Sequence, residues 1–141
     1  YISYRKKYME NNKMNEIKKV ETKYSVRDGG HYTPGMIYNG VLYISGQLSI
    51  DPETGKVPEG GIKQEARQAL KNLDYVIQAA GASKDRAIQC RVYLPDVKYW
   101  GDLNEEYASY FGEHKPSRIV VPTNNLYNGC LCEIEAVVAM D

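Results

Sequence analysis

Eight apolar side chains between residues 62 and 80 recur in steps of three or four, and this pattern limits the possible folds more than any other. Such steps place side chains on one stripe of an α-helix. Gly81 follows at a position where a helix can end. A helix with one apolar stripe needs a second layer to cover it. The eight positions are Ile62, Ala66, Ala69, Leu70, Leu73, Val76, Ile77 and Ala80.

The residues before this helix predict a β-hairpin. Residues 35–38 and 41–44 are two short runs rich in β-forming side chains, and Asn39-Gly40 joins them. Asn-Gly between such runs is a strong hairpin signal, because both residues tolerate positive φ angles. Residues 21–26 predict an earlier strand.

The second half of the chain predicts three more strands and one more helix. Ile88, Cys90, Val92 and Leu94 alternate with more polar residues, as in a strand with two unlike faces. Asp96 is placed to cap a helix that ends at Gly112, with an apolar stripe at Trp100, Leu103, Tyr107 and Phe111. Residues 117–121 and 130–140 predict the last two strands.

These elements predict an α+β fold in which two helices pack on one face of a mixed β-sheet. We expect residues 1–17 to form a disordered or additional N-terminal arm and residues 18–141 to form one domain. The opposite face of the sheet carries Leu131, Val137, Met36 and Tyr43, which are too apolar for a solvated surface. Self-association is the simplest way to cover it.

Charge argues against general binding to nucleic acids. The net charge is zero, but residues 1–20 hold six basic and two acidic side chains, so the remaining chain has an excess of four acids. A negative body binds phosphate backbones poorly. No apolar run approaches the roughly 18 residues of a membrane helix, and the N-terminus does not resemble a secretion signal. We expect a cytoplasmic protein.

The cysteines do not predict a metal site. Cys90, Cys130 and Cys132 form no CxxC pair, and His31 and His114 are the two histidines available as further ligands. We expect the cysteines to be small buried side chains and expect no metal.

Arg118 is the best candidate for function because it lies within the β-branched run 117–121. A buried guanidinium stays charged and needs an anion or several acceptors. Two acids, Glu133 and Glu135, interrupt one face of the last predicted strand. Two hypotheses follow: Arg118 binds the carboxylate of a ligand, or it pairs with one of these glutamates and joins neighbouring strands.

Two further candidates have weaker support. Tyr32 lies in the glycine-rich loop 29–35, where it either lines a site or simply covers the surface. Ser45 has no GxSxG context and no evident histidine partner, so we do not expect a Ser-His hydrolase.

Nine short motifs in order resemble the reactive-intermediate deaminase family, also called RidA or YjgF proteins, over residues 18–140. They are YISGQ (43–47), DPETG (51–55), QEARQALKNL (64–73), AAGAS (79–83), VYLPD (92–96), NEEY (104–107), YF (110–111), PSR (116–118) and EIEA (133–136).

This resemblance implies a chorismate-mutase-like fold, assembled as a homotrimer with sites in clefts between subunits. It also implies a 2-iminobutanoate/2-iminopropanoate deaminase-like hydrolase of C=N bonds. Such an enzyme converts reactive enamine or imine acids, such as 2-aminoacrylate and 2-iminopropanoate, to 2-oxo acids and ammonia without a cofactor. Its partners are these small acids and further copies of the chain.

The resemblance also assigns roles to individual residues. Arg118 matches the arginine that binds the substrate carboxylate, Glu133 matches the acid that orients water, and Tyr32 matches an aromatic residue of the cleft. Ser45 and Gly46 match the Ser-Gly pair near the site.

Some positions depart from the family pattern. Val120 stands where Cys or Thr is common, and Ile119 where Ser is common, although the Val120 backbone N–H remains available to a carboxylate. Substrate range is therefore open, as are two other functions: a non-catalytic regulatory module that binds small carboxylates, and an endoribonuclease L-PSP-like activity. The acidic body and the lack of an acid–base histidine pair disfavour the latter.

Overall fold

The computed structural model describes residues 2–25 and 29–140, which form three α-helices and six strands. In chain order they are α1 (Ile2–Met14), β1 (Lys18–Val20), β2 (Gly35–Tyr38), β3 (Val41–Leu48), α2 (Ile62–Ala79), β4 (Ala87–Leu94), α3 (Trp100–Phe111), β5 (Ser117–Pro122) and β6 (Glu133–Ala139).

The strands form one mixed sheet in the order β1-β2-β3-β6-β4-β5. β4 and β5 run parallel, whereas the other neighbouring pairs are antiparallel. The last strand, β6, therefore lies between β3 and β4, and α2 connects these two strands across it. Because α3 connects β4 to the parallel edge strand β5, the residues of α3 and β5 lie close together.

The predicted helix and hairpin are confirmed. All eight stripe positions of residues 62–80 lie in α2 or just after it, and seven of them are buried. Leu73 and Val76 are completely buried, as are Leu42, Ile134 and Val138 on the facing strands. Asn39 and Gly40 have φ angles of 51° and 75°, as the hairpin turn requires. The core thus lies between the helices and one face of the sheet.

The first strand was predicted in the wrong place. β1 is Lys18–Val20, and the following residues up to 25 have no strand structure, while Val26 lies outside the described residues. A three-residue edge strand shows too little alternation to be recognised in a sequence. The cysteine prediction is confirmed, because all three thiols are unpaired and buried.

Ile88 departs from the predicted alternation of β4. The pairing of β4 with β6 shifts register between Ala87 and Gln89, so that Ile88 is exposed and Ala87 is buried instead. A bulge of this kind changes which side chains face the core.

Residues 2–14, for which the sequence showed no useful periodicity, form the helix α1. Its described side chains are exposed and it has no apolar stripe, which is why the periodicity gave no signal. The division into an N-terminal arm, residues 1–17, and a domain, residues 18–141, remains a proposal.

The face of the sheet opposite α2 and α3 is open and carries apolar side chains. Met36, Tyr43 and Val137 are direct cross-strand neighbours there, and Tyr43 is 51% exposed. Ile119 of β5 lies on the same face and is also 51% exposed. We call this surface the open face.

Candidate functional site

Arg118 lies on β5 and its side chain faces α3. In the parallel pair it is the partner of Cys90, which is buried beneath the helices. The Nη1 atom donates a hydrogen bond of 2.9 Å to Asn104 Oδ1. The Cζ atom lies 4.7 Å from the ring centre of Tyr107 and 5.4 Å from that of Trp100. A guanidinium at such distances interacts favourably with aromatic rings.

Three residues of α3 hold this guanidinium because of their helical spacing. Trp100, Asn104 and Tyr107 stand at positions i, i+4 and i+7, which lie on one face of a helix. The apolar stripe predicted from the sequence contains Trp100 and Tyr107 but not Asn104. The signal was present, because Asn104 is a polar residue between two aromatic residues of that stripe.

The titratable neighbours of Arg118 do not neutralise its charge. Burial raises the pKa of the Tyr107 hydroxyl, and the adjacent Cys90 thiol raises it further. Burial likewise raises the pKa of Cys90. Both groups are therefore neutral near pH 7, and Arg118 forms no ion pair with a residue that the structure describes.

The hypothesis of an internal pair between Arg118 and a glutamate of the last strand is wrong. β4 lies between β5 and β6, so the two strands are not neighbours. Glu135 instead accepts hydrogen bonds from Arg91, at 3.2 Å, and from the Tyr93 hydroxyl, at 3.0 Å.

A cleft of about 540 Å³ lies beside Arg118. Arg118 and Asn104 form part of its wall, together with Tyr107, Phe111 and Lys115. Val120 follows on the same face of β5, where it pairs with Val92 and is partly buried. The cleft thus combines a fixed cation with aromatic walls, which suits a small acid with an organic side chain.

A second group of predicted residues lies at the end of β3. The β3–β6 pairing shifts register between Ile44 and Gln47, so Ser45 and Gly46 form an irregularity in the ladder. A Cβ atom added at Gly46 would overlap Oε1 of Glu133, which means that the carboxylate occupies the space a side chain would need.

Ser45 connects this group to the loop that contains Tyr32. Its hydroxyl donates a hydrogen bond of 2.6 Å to the carbonyl oxygen of Thr33, and its backbone N–H donates one of 2.9 Å to Pro34. Tyr32 precedes Thr33 and is 39% exposed. The structure therefore brings the chain at Tyr32 close to Ser45, Gly46 and Glu133.

Glu133 contributes the carboxyl group of this second group of residues, and no described cationic side chain pairs with it. Burial raises the pKa of its carboxyl group above 4.5, and the negative charge of Glu135 raises it further. Glu133 forms no ion pair within the described part of the chain, whereas Glu135 is paired with Arg91. A carboxylate of this kind is a stronger base than a solvated one.

One chain does not bring Arg118 and Glu133 into the same cavity. They are two strands apart, which corresponds to roughly 10 Å across the sheet. Their side chains also project from opposite faces of the sheet. Arg118 faces α3, whereas Glu133 is next to the buried Ile134 in the alternation of β6 and therefore projects from the open face. We call the first group the arginine half-site and the second the glutamate half-site.

Other reactive side chains give no alternative centre. No group of three or more His, Cys, Asp and Glu residues within 2–25 and 29–140 is placed to hold a metal ion. His114 Nε2 lies 2.7 Å from the Ala87 carbonyl oxygen, to which it donates a hydrogen bond. No helix in the described residues is long and apolar enough to cross a membrane.

Comparison with known proteins identifies the family. The model of the family described as Endoribonuclease L-PSP matches residues 22–140. The chain belongs to this family. A RutC family protein of Pyrococcus horikoshii is 42% identical over 108 residues, which are 77% of this chain and 86% of that protein. The human 2-iminobutanoate/2-iminopropanoate deaminase is 36% identical over 108 residues, 77% of this chain and 79% of the human protein.

Solved structures of the family have the same fold. A member of the Rid protein family from Yersinia pestis superposes with a TM-score of 0.82 at 34% identity, over 88% of this chain and 99% of that one. E. coli TdcF, solved with bound serine, gives 0.83 at 30% identity, again over 88% and 99%. The resemblance to RidA/YjgF proteins and the predicted α+β fold are thereby confirmed.

Replacing Gly46 with alanine tests the packing of the glutamate half-site. We expect Gly46→Ala to displace the Glu133 carboxylate, and because this group is the end of a flexible side chain, the free energy of unfolding should fall by no more than about 1 kcal/mol. Urea unfolding measures the loss of stability, and the ¹³C resonance of the Glu133 carboxyl carbon reports the displacement.

Gly101→Ala is the matched control, because a Cβ atom at Gly101 meets open space. Alanine is the better helix former, so this variant should be equal or more stable by up to about 1 kcal/mol. If Gly46→Ala left both the stability and the Glu133 resonance unchanged, the described contact between Gly46 and Glu133 would be incorrect.

Proposed function

We propose that this protein is a deaminase that hydrolyses small 2-imino and 2-enamino acids to 2-oxo acids and ammonia. The observation that carries the proposal is the Arg118 guanidinium, which is held by Asn104 and two aromatic rings but is not neutralised by any acid that the structure describes. A planar guanidinium binds a carboxylate through two parallel hydrogen bonds. Relatives named as imine deaminases support the choice of reaction.

We also propose that the complete site forms between two copies of the chain in a homotrimer. The arginine half-site of one subunit then faces the glutamate half-site of its neighbour. Two observations support this arrangement: the half-sites lie on opposite sides of the sheet, and the open face exposes Tyr43 and Ile119. An interface that covers apolar side chains is the usual means of oligomer formation.

In the proposed reaction Arg118 fixes the substrate carboxylate and thereby presents the neighbouring C=N carbon to Glu133. Glu133 orients a water molecule and accepts one of its protons while the water oxygen bonds to that carbon. Glu133 passes this proton to the imine nitrogen, which gives a neutral tetrahedral carbinolamine. The carboxylate then takes the proton of the new hydroxyl group and transfers it to the same nitrogen. The C–N bond breaks, ammonia leaves, and a C=O bond completes the 2-oxo acid.

The second candidate function is a regulatory module that binds small carboxylates without changing them. It is favoured by the structure of E. coli TdcF with bound serine, a family member that holds an amino acid. The arginine half-site would serve this function equally well.

An endoribonuclease is less well supported, because His114 is engaged by the Ala87 carbonyl and His31 is exposed. A cytoplasmic location remains part of the proposal.

Replacing Arg118 tests the proposed function. Charge-assisted hydrogen bonds are worth about 1.5–3 kcal/mol each, so the loss of two should lower kcat/KM by about 100-fold or more. We expect Arg118→Ala to abolish turnover and Arg118→Lys, which keeps the charge but not the planar fork, to lose most of it. The assay measures ammonia and 2-oxo acid released from freshly generated 2-aminoacrylate.

The matched control is Arg67→Ala, which removes an exposed arginine that is paired with Glu106 at 2.9 Å. This variant should retain wild-type turnover. Near-normal turnover by a folded Arg118→Ala variant would refute the catalytic assignment. If the wild-type protein bound a 2-oxo acid but did not release ammonia, the regulatory function would be correct instead.

Glu133 should set the acidic limb of the pH–rate profile. The carboxylate must be ionised to accept a proton, so the rate should fall as the pH falls through its pKa. Because burial and Glu135 raise that pKa above 4.5, the limb should lie above the range of a solvated glutamate. Glu133→Gln should lower kcat and remove the limb while 2-oxo acid binding stays mostly intact.

Glu53→Gln, an exchange at an exposed carboxyl group, serves as the control and should leave the profile unchanged. An unchanged acidic limb in Glu133→Gln would show that another group titrates. A loss of ligand binding with normal kcat would contradict the proposed role of Glu133.

A further inference from the structure

A second buried acid, Glu65, lies on α2 next to the glutamate half-site. It is 5% exposed and forms no ion pair with a described residue. Its Oε1 atom accepts two hydrogen bonds, one of 2.8 Å from the Ser49 hydroxyl and one of 2.9 Å from the Leu131 backbone N–H. A buried carboxylate without a cation is costly, so its presence calls for an explanation.

Asn72 acts on the same segment from the same face of α2, seven residues further along the helix. Its Nδ2 atom donates hydrogen bonds of 2.9 Å to the Leu48 carbonyl and 2.8 Å to the Ile50 carbonyl. Asn72 thus holds the backbone at the end of β3, and Glu65 holds the side chain of Ser49 between its two carbonyl partners. Glu65 additionally holds the backbone immediately before β6.

The position of these bonds matters because the ladder is weak there. Beyond the irregularity at Ser45 and Gly46, the β3–β6 pairing consists of Gln47 with Ile134 and Leu48 with Glu133. On the β3 side Glu133 is therefore in the terminal pair of a short segment, while Tyr93 of β4 pairs with it on the other side. Glu65 links Ser49 and Leu131 just beyond this pair, where β3 and β6 are no longer paired with each other.

We propose that Glu65 is a positioning residue, which fixes the strand ends at Ser49 and Leu131 and thereby the direction of the Glu133 carboxylate. The consequence for catalysis rests on the proposed function, in which Glu133 orients the attacking water. A shift of the order of 1 Å in such a group is enough to reduce the rate markedly.

Two substitutions separate this role from simple packing. Glu65→Gln keeps an acceptor oxygen for both donors, and we expect its kcat to stay within about twofold of wild type. Glu65→Leu has a similar size but leaves the Ser49 hydroxyl and the Leu131 N–H without their acceptor. We expect it to lower kcat about tenfold or more with little change in KM.

Titration of the Glu133 carboxyl carbon by ¹³C NMR gives a readout that does not require turnover. The titratable groups close to Glu133 are Glu135 on its own strand, Tyr93 on β4, and the thiols of Cys130 and Cys132. None of them is changed in Glu65→Leu. If the carboxylate turns towards water in this variant, the pKa of Glu133 should fall towards that of a solvated glutamate, and Glu65→Gln should restore the wild-type curve.

Ile77→Val controls for lost stability, because it removes a buried methylene from the same helix without touching the polar bonds. It should leave the Glu133 titration and kcat unchanged. If Glu65→Leu does not fold, Ser49→Ala removes one of the two bonds and should shift the titration in the same direction by a smaller amount.

A folded Glu65→Leu variant, or Ser49→Ala in its place, with a wild-type Glu133 titration curve would overturn this inference. If the wild-type protein showed no imine turnover, the proposed function would fail, but the titration would still decide whether Glu65 positions Glu133.

Discussion

The arrangement of the whole site depends on a guanidinium that neighbouring side chains hold but that no acid in residues 2–25 and 29–140 neutralises. The face of Arg118 is covered by aromatic rings and one edge is bound by a neutral amide, while the nearest titratable groups, Tyr107 and Cys90, stay uncharged. A partly buried cation in this state has a strong preference for an anion. The fold maintains the state because β4 separates Arg118 from the acids of β6.

That same separation explains why one chain carries two incomplete groups of residues. A six-stranded sheet with helices on one face gives each strand a core side and an open side. Arg118 leaves the sheet towards the helices, and Glu133 leaves it on the open face, where burial and Glu135 raise its pKa. In the proposed function, the Arg118 cation and the Glu133 carboxylate act together only when a second copy of the chain brings them to the same cleft.

Most of the fold could be predicted from the sequence because its signals are local. The stripe of α2, the Asn39-Gly40 turn and the alternation of β6 each depend on neighbouring residues. The bulge at Ile88 could not be predicted because it arises from pairing with the distant strand β6, and β1 could not be predicted because three residues show too little alternation. Arg118 and Glu133 were found as exceptions in apolar strands. Their placement on opposite faces depends on the strand order, which local patterns do not contain.

Mixing two inactive variants tests the central claim, that the site is shared between subunits, most directly. Arg118→Ala and Glu133→Gln subunits would be unfolded together, refolded as a 1:1 mixture and assayed for imine hydrolysis. A random mixture places an intact Arg118 against an intact Glu133 at one interface in four, so the account predicts recovery of about a quarter of wild-type activity. Activity no higher than that of the two separate variants, in a mixture shown to contain both subunits in one assembly, would contradict it.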